Sequence, residues 1–239
     1  MGDMADDNGV PEKGAGPWGQ AITAVALVAA LVVGLWAFAK PSSSQSGQSP
    51  ARCRGGEAEK ASGKPGKGPD VVSGAQLCEA LNRPDLARLL GTPQESAKSA
   101  SGGGGSVRLA GGEEIPNPSA RVEFGTYTVS LSESYDRLPV SRAAALLGDG
   151  AGKRTVLGRS AVLYADRTIS LSFRLDGSDS HSGPGVPARA LTVARDAKDS
   201  GGSFDVTLWR TDGLVPDDAV LLRVAETVLP TVPGWTADE

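Results

Sequence analysis

Two cysteines, a single histidine and a scatter of carboxylates are the residues of this 239-residue chain whose types could support chemistry. Cys53 and Cys78 bracket a loop of about 25 residues, and joining them would remove roughly 3–4 kcal/mol of unfolded-state freedom on the chain-entropy view. The alternative is a buried thiol at Cys78 and an idle one at Cys53. No C-x-x-C occurs, and two cysteines do not by themselves make a structural zinc site. An exposed free thiol in an open linker invites oxidation, whereas one that ties the linker to a helix has a task. A Cys53–Cys78 disulfide is therefore the expectation, and it implies an oxidising compartment.

His181, the only histidine, excludes multi-histidine metal sites and stands in "DGSDSHSGPG", a loop composition. Asp176, Ser178 and Ser180 alternate there as in a calcium loop, but His181 and Pro187 occupy the positions that require glycine and an acid. "GDGAGKR" (148–154) lacks phosphate-loop spacing and has Arg154 in place of Ser or Thr, and no G-x-S-x-G elbow occurs. Glu133, Asp136, Asp166 and Asp205 could pair across a sheet as acid and base, yet no spacing selects a pair. Catalytic residues, cofactors and metals are accordingly all assigned as none. Acid, aromatic and arginine crowd only in "ESYDRLP", which makes Glu133, Tyr135, Asp136 and Arg137 the expected binding rim.

These residues need elements to hold them. A helical pair is expected first. Ser73 and Gln76 form a capping-box pattern ahead of Leu77, Cys78 and Leu81. Leu86, Leu89 and Leu90 follow Pro84, and Gly91 suits a left-handed cap. "SASGGGGS" (99–106) reads as a flexible loop. Val122 and Phe124 alternate, then the apolar phase slips past Gly125 to Tyr127, Val129 and Leu131, which suggests a bulge. A short helix after Pro139 precedes two or three hairpin-linked strands in 154–175, a Gly/Ser loop (176–186), and strands around Leu191 and Phe204. A last helix from Pro216 carries Leu221, Leu222, Ala225, Val228 and Leu229. The expected fold is an α+β domain over 70–235, an antiparallel sheet of about five or six strands with helices on one face.

Residues 1–17 form a short polar tail, and 18–39, "WGQAITAVALVAALVVGLWAFA", contain no charge. As a helix this stretch rises about 33 Å, enough to span a bilayer, with Trp18 and Trp36 near the headgroup levels. The acidic flank, with Lys13 alone as its basic side chain, favours an uncleaved anchor over a signal peptide, although Ala37-Phe38-Ala39 resembles a cleavage site. Ala26, Ala30 and Gly34 recur at four-residue spacing, the pattern of a weak helix–helix dimer. Residues 40–69 are a Ser/Gly/Pro/Lys linker too polar to order. Lys40, Arg52 and Arg54 pull the C-terminal part toward the cytoplasm; the disulfide pulls it outside. With a net charge of −4, nucleic acid is not an expected partner.

The segments "LCEALNRPDLARLLGTP", "YDRLPV", "RTVLGRSAVLYADRTISLSF" and "VLPTVPGW" are similar to an uncharacterised actinobacterial family of single-span membrane proteins, a domain of unknown function. The resemblance covers nearly the whole chain, implies an anchored domain outside the cytoplasm, and supplies no catalytic residue. A looser likeness to actinobacterial lipoproteins lacks the lipobox cysteine. The expectation is a single-pass cell-membrane protein displaying a noncatalytic binding module toward an unknown protein or envelope partner. The alternatives are an envelope hydrolase with paired carboxylates and a cytoplasm-facing tethered module.

Overall fold

A computed structural model describes residues 51–55, 71–108, 111–147, 150–172 and 181–235. The apolar stretch 18–39 with Trp18, Ala26, Ala30, Gly34 and Trp36 lies outside the described residues, as do the N-terminal tail, most of the 40–69 linker and the loop bearing Asp176, Ser178 and Ser180. Among the described residues no helix is long and apolar enough to cross a membrane.

The capping box at Ser73 forms as expected. The Gln76 N–H donates to the Ser73 hydroxyl at 3.2 Å and the Ser73 N–H donates to Gln76 Oε1 at 2.9 Å. In chain order the elements are β1 (Cys53–Gly55), α1 (Gly74–Leu81), α2 (Leu86–Leu89), β2 (Ser99–Gly103), β3 (Ser106–Arg108), β4 (Glu114–Pro116), β5 (Ser119–Glu123), β6 (Tyr127–Ser134), α3 (Val140–Leu146), β7 (Gly152–Val156), β8 (Arg159–Ser172), β9 (His181–Ala194), β10 (Ser203–Arg210) and α4 (Asp218–Val228). A single 3-10 turn, Leu229–Thr231, follows α4.

Eight strands make one sheet in the order β1-β2-β5-β6-β10-β9-β8-β7, and β3 pairs with β4 in a separate ribbon. This is the expected α+β class with more strands than the five or six anticipated. The sheet is mixed, because β1 runs parallel to β2 while its other pairings are antiparallel. Cys53–Gly55, assigned by composition to the linker, is an edge strand of the domain.

Side chains alternate across this sheet. One face carries Ala100, Val122, Val129, Leu131, Val206, Leu208, Leu191, Val193 and Leu163, which pack with Leu77, Leu81, Leu86 and Leu90 and with Leu221, Val224, Ala225 and Val228 of α4. The opposite face holds a smaller apolar cluster in which Val140 and Ala144 of α3 meet Val162 and Ala194. Helices therefore pack on both faces, not one. The reason is visible in α3, whose first N–H groups, Val140 and Ser141, donate at 2.7 and 2.9 Å to the Asp199 carboxylate in the β9–β10 turn. That cap pins the helix beside Val162.

Three readings of glycine-rich sequence are corrected. Gly125 marks a tight β5–β6 turn instead of a bulge: the Phe124 N–H donates to the Tyr127 carbonyl at 2.8 Å. The Glu95 carboxylate clamps it, accepting from the N–H groups of Gly125 and Thr126 at 2.8 and 3.0 Å. His181 begins a strand where the composition suggested a loop. "SASGG" is strand β2, and its glycines serve close packing. A Cβ at Gly102 would lie 1.9 Å from the Gly74 carbonyl oxygen, and one at Gly74 would lie 2.3 Å from the Gly103 nitrogen. Backbone cannot yield as a flexible side chain can, so Gly102→Ala is expected to cost about 3 kcal/mol, whereas Gly104→Ala, with open space around it, should be near neutral. Chemical denaturation of the two variants checks this.

Candidate functional site

On the face covered by α1, α2 and α4, the inward phase of three strands continues to a charged residue at one end. Extending the inward phase of Val129 and Leu131 reaches Glu133, that of Leu191 and Val193 reaches Arg195, and that of Leu163 and Ala161 reaches Arg159. The antiparallel pairing puts all three at the same end of the sheet. Glu133 and Arg159 are each only 1% exposed, so they need partners.

Those partners are specific. Arg195 Nε lies 3.0 Å from Glu133 Oε1, and the guanidinium sits over the Tyr135 ring at 4.6 Å. The Tyr135 hydroxyl donates to Glu133 and accepts the Val72 N–H at 2.7 Å. Arg159 donates to the Arg195 carbonyl and stacks 3.5 Å from the Trp235 ring, which in turn meets Phe204 at 5.5 Å. Burial pushes the Glu133 carboxyl upward, and the Tyr135 and Arg195 contacts oppose that without cancelling it. The Glu133 Oε2 oxygen is buried with no hydrogen-bond partner among the described residues.

The opposite face carries a second, half-buried acid. Asp205 accepts from the Thr192 hydroxyl at 2.5 Å and from the Ser203 hydroxyl at 3.2 Å. Burial raises its carboxyl despite these bonds. Tyr164, beside Thr192, is likewise raised by burial. Because Glu133 is the register partner of Phe204, the neighbour of Asp205 in β10, the two raised carboxyls project from opposite faces. The sheet itself separates them.

The expected rim is thus divided. Glu133 and Tyr135 come together, but inside the domain. Asp136 accepts from the Ser134 hydroxyl and the Leu138 N–H at 2.9 Å each, and Arg137 is exposed. Asp166 is exposed at its strand. Sequence reasoning missed Arg159, Arg195 and Trp235. A charge on the inward phase of an apolar strand was the available signal. Other carboxylates serve local structure: Glu95 clamps its turn, Asp199 caps α3, and Asp212 is held down at about 2 by the Arg210 guanidinium.

Beyond the area covered by α3, the outer face of β2, β5 and β6 is polar and holds a shallow hollow of about 270 Å³ lined by Ser101, Gly102, Gly103, Ser119, Ala120, Arg121 and Ser130. The Arg121 guanidinium lies 5.1 Å from the Trp209 ring centroid. Cys53 and Cys78, on the inner side of the same sheet edge, are joined as a disulfide.

The sequence profile of a family described as of unknown function, DUF6215, matches residues 12–150, more than half of the 239. The chain belongs to the DUF6215 family. No curated protein and no solved structure matches it. The DUF6215 match takes in the apolar stretch, the disulfide, the residues lining the hollow though not Trp209, and the Glu133–Tyr135 pair. It ends between α3 and β7, although β6 completes its pairing with β10. The DUF6215 segment of this chain therefore shares one core with the residues that follow it.

Proposed function

We propose that this DUF6215 chain is a single-pass membrane protein of an actinobacterial cell, anchored by residues 18–39, that displays a noncatalytic binding module outside the cytoplasm. The observation that carries the proposal is the Cys53–Cys78 disulfide, placed where the tether enters the domain. Disulfides persist in oxidising compartments and are rare inside cells. The bond joins strand β1 to the first helix, so a pull that reaches Cys53 from the N-terminal side passes into the domain through a covalent link. The charge-free stretch at 18–39 and the resemblance to single-span proteins support the same topology.

A binding role is supported by where the carboxylates sit. Among the described residues Glu133, buried, and Asp205, half-buried, are the acids whose carboxyls are raised, and they stand on opposite sides of the sheet. A hydrolase of the paired-carboxylate kind would need an acid and a second carboxylate facing one bond, and these two do not. The polar outer face, with hydroxyls and an arginine, is suited to recognition by hydrogen bonds.

Fractionation and protease shaving test the proposal. The chain is expected in the membrane fraction after an alkaline wash, and protease added to intact spheroplasts should cut it in the 56–70 stretch or before. Release into the soluble fraction, or full protection until the membrane is lysed, would overturn it.

A further inference from the structure

We propose that the hollow on the outer face of β2, β5 and β6 is a binding site for a phosphate-bearing anion, with Arg54 and Arg121 as its two clamps. The register supplies the second arginine. Arg54 in β1 is the partner of Ser101, and Ser101 is the partner of Arg121, which pairs onward with Ser130. Arg54, Ser101, Arg121 and Ser130 therefore form one row on one face, since Cys53 beside Arg54 points to the inner face to reach Cys78. Two strand spacings put the arginine backbones about 10 Å apart; Arg121 lines the hollow itself, whereas Arg54 stands on the edge strand just beyond the lining, from where its long side chain would swing over Ser101 to close the site.

Both arginines are exposed, and neither has an ion pair with a described residue. Arg121 is held by Trp209, and stacking on an aromatic ring leaves its edge N–H groups free to donate. The Ser101 and Ser119 hydroxyls at the hollow add neutral donors. A carboxylate has two oxygens, and one guanidinium fork satisfies them. Two forks plus hydroxyls match the three or four oxygens of a phosphate. Glu123, one row away on the same face, already accepts the Ser99 hydroxyl at 2.8 Å, which directs the anion toward the Ser119 side. The disulfide fixes Cys53 and with it the position of Arg54.

This assignment names the ligand class of the binding module proposed above and rests on that reading for its biological setting. Its test does not depend on topology. The probe is radiolabelled inorganic phosphate, measured by equilibrium dialysis against the full chain in phosphatidylcholine nanodiscs. One saturable equivalent is expected, weakened tenfold or more in Arg54→Gln and in Arg121→Gln and unchanged in Arg142→Gln, an exposed arginine of α3. Arg121→Lys keeps the charge without the fork and should weaken uptake several-fold, which keeps the test valid if Arg121→Gln does not fold. Loss of uptake when the wild type is placed in phosphatidylglycerol nanodiscs assigns the site to a lipid headgroup, and retention assigns it to a soluble phosphate. Either result, with the arginine dependence, supports the site. Absence of saturable uptake, or uptake indifferent to Arg54 and Arg121, overturns it whatever the topology proves to be.

Discussion

Glu133→Ala should lower the stability of the domain by about 3 kcal/mol, the low end for breaking a buried ion pair. The low end applies because Arg195 is 32% exposed and can turn part of its charge to water. The loss has three sources. The Tyr135 hydroxyl loses the acceptor that Glu133 provides, Arg195 loses its carboxylate, and the end of the core beside Phe204 gains a void. For a domain of this size the melting temperature should fall by about 6–12 °C, read by near-ultraviolet circular dichroism of the full chain in detergent. Glu133→Gln separates charge from shape. It fills the same space and removes the burial cost that raises the carboxyl, so it should lose clearly less than the alanine variant. The pH dependence has a fixed sign. The folded carboxyl titrates above its unfolded value, so the folded state binds the extra proton and this group's contribution falls as pH rises from the unfolded toward the folded pKa. Glu133→Gln should flatten that part of the profile.

Loss of the disulfide should be about as costly. Cys53→Ala is expected to remove roughly 3–4 kcal/mol through the freed loop of about 25 residues, against a total of about 5–15 kcal/mol for a typical domain. Its local effect is more diagnostic than its size. β1 is three residues long and, among the described residues, pairs with β2 alone, and a strand that short does not hold an edge by hydrogen bonds alone. Without the bond, β1 should leave the sheet and expose the edge of β2. Amide exchange at Ser99–Gly103 should rise ahead of exchange in the central β6 and β10. Cys78→Ala should cost slightly more, because Cys78 is fully buried against the core and its removal leaves a void.

The sequence was informative where local chemistry decides. Ser73 and Gln76 specify a cap through their own side chains, and the alternation of Val129, Leu131, Leu191 and Val193 specifies the inner face. Cys78 on the buried side of α1 was legible from its spacing with Leu77 and Leu81. Glycine was misread because it has two uses: flexibility, and close approach of backbones. At Gly102 the second applies, and only the position of α1 reveals it. The long β8–β9 arm was hidden similarly. Gly183, Pro184 and Gly185 read as a loop, but Gly185 lets β9 pass against Thr168, where the register shifts between Arg167 and Ile169. The Glu133–Arg195 pair joins residues 62 positions apart, and Arg54 meets the Arg121 row through a parallel edge strand. Neither pairing has a local signal, since both depend on the order of strands in the sheet.

The most direct measurement is the state of Cys53 and Cys78 in living cells. Intact cells are treated with a membrane-impermeant maleimide, with or without prior exposure to an impermeant phosphine reductant, and the labelled mass of the full chain is read. No label before reduction and at least one label after it, on the less buried Cys53, are the expected result. Label acquired without reduction once cells are lysed under thiol-trapping conditions, or no label after reduction until the membrane is broken, would contradict an oxidised domain displayed outside the cytoplasm.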